Sequence, residues 1–105
     1  MSTFRRYEIL IPSQFNDGCA IPDELIAETL LELEQAFGAV SCESQIIHGL
    51  WQQEGEVFRD RLLRVFVDVT DTAENRRFFV ELKERLKVRF QQLEIWLTTH
   101  PIEVI

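Results

Sequence analysis

The sequence is short of cysteine, histidine and basic side chains, and each shortage excludes a class of protein. Cys19 and Cys42 are the only cysteines in 105 residues and form no C-x-x-C pair, so neither a disulfide framework nor a redox motif is predicted. Reduced thiols in a cytoplasmic protein are the simplest interpretation. Eleven basic residues against eighteen acidic ones give a net charge of −7. This balance disfavours a nucleic-acid partner, which needs a positive surface.

Long apolar runs are missing as well. No stretch approaches the roughly 18 apolar residues of a membrane-spanning helix. The apolar run that follows Arg5 and Arg6 holds only Ile9, Leu10 and Ile11, which is too short for a secretory signal. Hydrophobic residues make up 46% of the chain and charged residues 28%, a balance typical of soluble globular proteins. We therefore expect no membrane partner and a single domain over residues 1–105.

The hydrophobic pattern changes between a period of two and a helical period, and it predicts six elements. Their order is strand, helix, strand, strand, helix, strand, which is the order of a ferredoxin-like split βαβ fold. We predict an α+β sandwich in which both helices cover one face of a four-stranded antiparallel sheet. The predicted elements are a strand over 4–12, a helix between Pro22 and Gly38, extended chain over 40–53, a strand over 57–69, a helix from Asp71 or Thr72 to Phe90, and a strand over 93–98.

The two predicted helices carry opposite charges. Residues 22–38 hold five acidic side chains and no basic one, whereas residues 73–91 hold six basic and three acidic side chains. The basic helix could bind a polyanion, or the two helices could lie side by side and pair their charges. The second interpretation is favoured because it needs no ligand.

The sheet face opposite the helices is predicted to carry an unusual number of apolar side chains. A turn at Glu54-Gly55 would place Trp51 opposite Phe58 on this face. A patch of this kind is larger than most monomers expose. Six residues form the candidate binding surface: Trp51, Phe58, Leu62, Arg64, Phe66 and Trp96.

Three explanations for this patch remain open. A second copy of the chain could pack its sheet there and form a homodimer. A small hydrophobic ligand could bind on the face. The C-terminal tail and the loop over 13–21 could instead cover the face within one chain.

Residues with catalytic chemistry are few and scattered, so no catalytic residue is assigned. His48 lies on a predicted strand, where a structural histidine is a better interpretation than a general base. A zinc site made from Cys19, Cys42, His48 and His100 would have no pair of ligands close in sequence, and no cofactor fingerprint is present. No metal and no cofactor is therefore predicted.

Charged residues on the second face allow two interpretations. Glu8, Asp60 and Asp68 could approach one another and support proton transfer through a raised pKa. Arg6 and Arg64 lie on the same face, so ordinary cross-strand ion pairs explain the set better.

Four stretches carry a resemblance to known proteins. They are Tyr7-Glu8-Ile9-Leu10-Ile11-Pro12, Phe15-Asn16-Asp17-Gly18, Phe37-Gly38-Ala39-Val40 and Arg64-Val65-Phe66-Val67-Asp68-Val69. In these stretches the chain resembles a group of small bacterial proteins, cyanobacterial ones among them, to which no activity is attached. In topology and sheet-face composition it is also similar to the dimeric α/β-barrel families, which include small monooxygenases and lactone isomerases. That second likeness is one of architecture only.

Two hypotheses about function follow. The leading one is a non-catalytic cytoplasmic binding or interaction protein that self-associates through the second sheet face. The alternative is an enzyme of the dimeric-barrel kind, acting on a small hydrophobic molecule in a pocket bounded by Trp51, Phe66 and either His48 or Tyr7.

Overall fold

The chain folds into one antiparallel sheet and two helices. The computed structural model describes residues 3–43 and 47–105, with the main chain alone at 47–49, 51, 53 and 56–60. The strands lie in the order β2-β4-β1-β5, and β3 also pairs with β4. This confirms the predicted α+β ferredoxin-like arrangement. The elements are β1 (Phe4–Pro12), α1 (Asp23–Phe37), β2 (Ser41–Cys42), β3 (Ile47–Gln53), β4 (Glu56–Thr70), α2 (Ala73–Arg89) and β5 (Trp96–Ile102).

The odd-numbered residues of β1 and the inner part of β4 point toward the helices and form the core. Val65, Val67 and Val69 are buried there, as the alternation predicted. Tyr7 stacks on Phe79 of α2 with the ring centroids 3.9 Å apart. The remaining buried core residues come from β1, α1, α2 and the segments between them: Ile9, Ile11, Ile21, Leu33, Leu82, Leu86, Phe90 and Ile95.

Both helices have ends that their sequences predict. Thr72 precedes α2 in an extended conformation, and its hydroxyl accepts a hydrogen bond from the Asn75 N–H. Gly38 ends α1 at a φ of 82°, in the left-handed region that a C-terminal cap requires. Pro22 immediately precedes α1, whose first turn carries Asp23 and Glu24 at the positive end of the helix dipole.

The two helices pair their opposite charges, as the favoured interpretation predicted. Glu32 of α1 accepts from Arg85 at 2.6 Å and from Arg89 at 3.0 Å. Arg89 also donates to the hydroxyl of Thr29 at 2.9 Å, and Thr29 is completely buried. Two ion pairs and a hydrogen bond to a buried hydroxyl therefore join the two helices side by side.

The predicted second strand is divided into β2 and β3. Both pair with the same side of β4, but in different registers. Ser41 of β2 lies opposite Phe66, and Ile47 of β3 lies opposite Leu62. The chain therefore advances six residues from Ser41 to Ile47 while β4 advances only four. The predicted turn is confirmed, because Glu54 and Gly55 have φ values of 53° and 83°, the positive pair that a tight two-residue hairpin favours.

The last strand is where the sequence-based prediction is wrong. A strand was predicted over 93–98, ending before His100-Pro101, whereas β5 runs from Trp96 to Ile102 and includes both residues. Proline lacks an N–H and is tolerated on an edge strand when its nitrogen points away from the sheet. Since β5 is the edge next to β1, Pro101 does not end the strand.

Neither of the two helices in the described part of the chain is both long and apolar enough to cross a membrane.

Candidate functional site

The sheet face opposite the helices is the candidate site, and we call it the open face. It is built by the even-numbered residues of β1, the inner part of β4, and β5. The register places Leu10 between Arg64 and Trp96, Glu8 between Phe66 and Thr98, and Arg6 between Asp68 and His100. Apolar and charged side chains therefore alternate along and across the strands. The members of the open face include Phe4, Arg6, Glu8, Leu10, Leu62, Arg64, Phe66, Asp68, Thr70, Trp96, Thr98, His100 and Ile102.

Phe66 lies at the centre of the open face and is contacted by two guanidinium groups. The Cζ atoms of Arg6 and Arg64 each lie 4.5 Å from the centroid of its ring. A guanidinium at this distance is attracted by the electron-rich face of the ring. Phe66 is consequently half-buried by its own neighbours, and it contributes less free apolar area than the sequence alone predicts.

The charged groups of the open face are joined in cross-strand ion pairs. Arg6 binds Asp68 with two hydrogen bonds of 2.7 and 3.0 Å. Arg64 donates to Glu8 and also to Glu43, which follows β2. The hydrogen bond from Arg64 lowers the pKa of Glu8, and the hydrogen bond from Arg6 lowers the pKa of Asp68. This confirms the ion-pair interpretation over proton transfer for the two carboxylates whose side chains are described.

One end of the open face is apolar and accessible. Trp96 and Leu10 lie directly opposite each other on neighbouring strands, and Leu62 lies opposite Pro12. Leu10 and Leu62 are half-buried, whereas Trp96 keeps 64% of its surface exposed. Trp is highly buried on average in folded proteins and is enriched at interfaces, so this exposed indole is the leading candidate for a contact with another molecule.

Neither the loop over 13–21 nor the C-terminal tail covers this end, which removes the third explanation for Trp96. The loop over 13–21 directs Phe15 and Ile21 into the core on the helix side. It is closed by a Gln14–Ala20 bridge and by a turn in which the Cys19 N–H donates to Asp17 at 2.9 Å. Beyond β5, Val104 and Ile105 are exposed, so the tail makes no apolar cover either.

The structure therefore describes the side chains of four of the six predicted site residues, and it places these four on one face. These are Leu62, Arg64, Phe66 and Trp96. The main-chain register confirms that Trp51 pairs with Phe58, but the side chains of both lie outside the part that is described, as does that of His48. These three residues remain predictions.

One predicted pocket residue is on the wrong side of the sheet. Tyr7 is buried against Phe79 beneath the helices, while Phe66 lies on the open face. The reason is the two-residue period of a strand, which directs residue 7 of β1 away from its even-numbered neighbours. A pocket bounded by both Tyr7 and Phe66 is therefore not formed.

The two thiols are poor candidates for nucleophiles. Cys19 and Cys42 are both free and exposed. The hydrogen bond to Asp17 raises the pKa of the Cys19 thiol, and partial burial raises that of Cys42, so less thiolate is present at neutral pH. Across residues 3–43 and the described side chains beyond 47, no three His, Cys, Asp or Glu residues form a group able to hold a metal ion.

Sequence reasoning missed Glu43 as part of this site. Glu43 follows the two-residue strand β2, and its N–H donates to the Arg64 carbonyl at 2.9 Å. This main-chain bond brings its carboxylate to the Arg64 guanidinium. No pattern in the sequence indicates this contact, because the register of β2 differs by two residues from that of the hairpin.

Comparisons with known proteins give the fold. No family model matches the chain, and no curated protein does. Solved structures do. CutA from Synechococcus elongatus has a TM-score of 0.62 at 10% identity, covering 97% of this chain and 79% of that one. The divalent cation tolerance protein CutA1 from Thermus thermophilus has a TM-score of 0.65 at 20% identity, covering 96% and 85%.

A third solved structure is similar to a comparable degree. A phage SAM lyase in complex with S-methyl-5'-thioadenosine has a TM-score of 0.67 at 13% identity, covering 97% of this chain and 90% of that one. The fold is ferredoxin-like. At these identities the likeness extends to the fold alone, since one fold hosts many unrelated functions.

Proposed function

We propose that the protein is a non-catalytic interaction module that binds a second copy of itself through the open face. The observation that carries the proposal is the exposed Trp96 beside Leu10, at a place that neither the loop over 13–21 nor the tail covers. Aromatic residues are enriched at protein interfaces because one rigid side chain buries a large apolar area. The apolar end of the open face is therefore the centre of the proposed contact.

Charge opposes the approach of two copies only weakly at this face. The whole chain carries a net charge of −7, which makes copies repel one another in general. On the open face, however, Arg6 is paired with Asp68, and Arg64 is paired with Glu8 and Glu43. Two basic and three acidic groups leave a net charge of −1 among these paired residues. Two such faces can meet with little like-charge repulsion and can exchange ion-pair partners at the rim.

The chemistry of the described groups supports binding rather than catalysis. Glu8 and Asp68 have pKa values below the usual range because arginines hydrogen-bond to them, so both stay ionised at neutral pH. A general acid or base needs a pKa near the working pH instead. Both thiols have raised pKa values, so neither is activated as a nucleophile.

Sedimentation equilibrium at micromolar concentration tests the proposal with one variant and a matched control. The wild type is expected to be larger than the 12.4 kDa monomer. Trp96→Glu should shift the equilibrium toward monomer, because a charge replaces the apolar centre of the contact. The control is Val80→Glu, which makes the same change of charge at an exposed apolar residue on α2 and should leave the mass unchanged.

Two results would overturn the proposal. One is a wild type that sediments as a monomer up to tens of micromolar, about the weakest affinity expected of a specific interface. The other is equal loss of association in Trp96→Glu and Val80→Glu, which would mean that added negative charge, and not the open face, controls the mass.

A further inference from the structure

The two edges of the sheet differ in continuity. The edge beside β4 is divided between β2, which has two residues, and the uncharged β3, which has seven, and these two strands pair with β4 in registers that differ by two residues. Short edge strands and charged side chains are the usual devices against unwanted pairing, and Glu43 with its arginine partner follows β2 directly. The other edge is β5, whose seven residues, Trp-Leu-Thr-Thr-His-Pro-Ile, contain no Asp, Glu, Lys or Arg. In a chain with 28% charged residues, β5 is a long and neutral edge.

Main-chain hydrogen bonds show which groups of β5 face outward. At the two ends of β1, the Thr3 carbonyl accepts from the Asp71 N–H at 2.9 Å, and the Ser13 N–H donates to the Arg61 carbonyl at 2.8 Å. Odd-numbered residues of β1 therefore bond toward β4, and even-numbered ones bond toward β5. Since Arg6 pairs with His100, the even-numbered residues of β5 are used within the sheet.

The odd-numbered residues of β5 consequently point their main-chain groups away from the sheet. Leu97 and Thr99 each present an N–H and a carbonyl, and Pro101 presents a carbonyl alone. The missing N–H of Pro101 costs no bond inside the sheet, which explains how proline fits into this strand. Five main-chain groups in a row, at the spacing of a strand, form the template for one more strand.

We propose that the free edge of β5 pairs through these main-chain groups with a strand of a second copy, so that the sheet continues from one protomer into the next. The proposal rests on the self-association proposed above and adds the contact that fixes its geometry. Trp96 belongs both to β5 and to the open face. Edge pairing would therefore bring a neighbouring strand directly beside the exposed indole and extend the same interface.

Amide hydrogen exchange of the wild type, measured by NMR above and below the concentration at which the protein associates, is the direct test. The Leu97 and Thr99 amides face outward in the protomer and should exchange fast when dilute. On association they should slow by about tenfold or more. The Thr98 and His100 amides bond to β1 and provide an internal control, since they should be protected at both concentrations.

A pair of variants gives a second readout. Thr99→Pro deletes one outward N–H and should weaken association by about tenfold. Thr99→Val keeps the N–H while removing the hydroxyl that accepts from Arg5 and donates to the Arg6 carbonyl, so it controls for the loss of these side-chain contacts and should associate more tightly than Thr99→Pro.

The outcomes separate this proposal from the one on which it rests. Association that leaves the Leu97 and Thr99 amides in fast exchange would overturn edge pairing and leave the open-face contact standing. A wild type that is monomeric would overturn both. Concentration-dependent protection confined to these two amides supports edge pairing, and it stays interpretable even where Thr99→Pro fails to fold. The open-face contact is tested separately by the sedimentation of Trp96→Glu.

Discussion

The two faces of the sheet are made by alternate residues of the same strands, yet they are stabilised in different ways. On the helix face Val65, Val67 and Val69 are buried by α1 and α2. On the open face the intervening Phe66 is held by arginines that are themselves paired with acids. The helix face is stable through apolar burial within one chain. The open face satisfies its charges within one chain but leaves Trp96 largely exposed, and the proposed contact with a second copy is placed there for this reason.

The largest difference between the faces should appear when the same substitution is made on each. Phe79→Ala removes a buried ring that stacks on Tyr7 and Phe37 and should cost about 3–5 kcal/mol of unfolding free energy. Phe66→Ala removes a half-buried ring with two arginine contacts and should cost about 1–2 kcal/mol. Urea unfolding at a concentration where the protein is monomeric measures both. Equal costs would show that the open face is as tightly packed as the core.

A smaller effect should come from the polar contact between the helices. Arg89→Ala removes the donor to the buried Thr29 hydroxyl and to Glu32, and should cost about 1–3 kcal/mol in unfolding free energy. Arg77→Ala is the control, because no ion pair of Arg77 is found in the described part of the chain, and it should change stability by less than about 0.5 kcal/mol. Similar values for the two variants would mean that the polar contacts of Arg89 add nothing to the packing of the helices.

The open-face ion pairs should make the free energy of unfolding depend on pH in the acidic range. Hydrogen bonds from Arg64 and Arg6 lower the folded-state pKa of Glu8 and Asp68, so below about pH 5 the unfolded chain takes up protons first. Their contribution is present above the unfolded pKa values near 4 and is lost as the pH falls through the folded ones. The double variant Glu8→Gln/Asp68→Asn should lose less than about 1 kcal/mol at pH 7 and should show a shallower decline between pH 5 and 3.

Other carboxylates whose pKa is lowered by arginines keep part of the pH dependence of stability in the double variant. Burial raises the pKa of Glu32, but hydrogen bonds from Arg85 and Arg89 outweigh it and leave the value below normal. Urea unfolding at several pH values compares the double variant with Glu81→Gln, an exposed acid on α2 that should follow the wild type. A double variant with the wild-type slope would show that the open-face pairs add nothing to folding.

The smallest effect on folding is expected at the residue with the largest proposed effect on association. Trp96→Glu changes a side chain that is 64% exposed and should alter the unfolding free energy of the monomer by less than about 0.5 kcal/mol. The melting of dilute protein by circular dichroism checks this. A large loss of stability would show that Trp96 packs within its own chain.

The sequence was sufficient to predict which strand residues face the helices and where most helices and strands begin and end. Alternation placed Val65 and Phe66 on opposite faces correctly because the two-residue period is a local property of the chain. The helix caps could also be predicted from local sequence. Gly38 alone supplies the conformation that ends α1, and Thr72 alone supplies the hydroxyl at the beginning of α2. The pairing of the helices could be predicted because their net charges are opposite and their positions follow from the topology.

The rest depended on geometry that arises between distant segments. The end of β5 was misplaced because proline ends a strand only when its nitrogen faces a neighbour, and that depends on which edge the strand occupies. The covering of Phe66 by Arg6 and Arg64 depends on side-chain conformations across strands. The contact of Glu43 depends on a register that changes between β2 and β3.

The length of β4 has a mechanical consequence. Its 15 residues span about 46 Å at the usual rise of a strand, whereas β1 beside it has nine residues. The same unbroken strand thus carries the open-face residues Arg64, Phe66 and Asp68 at one end and leads to the hairpin turn at the other. Residues 56–60 of β4 pair with β3 alone, whereas residues 62–70 pair with β1. The hairpin therefore leaves the sheet as a two-stranded ribbon, and bending this ribbon breaks no hydrogen bond to β1.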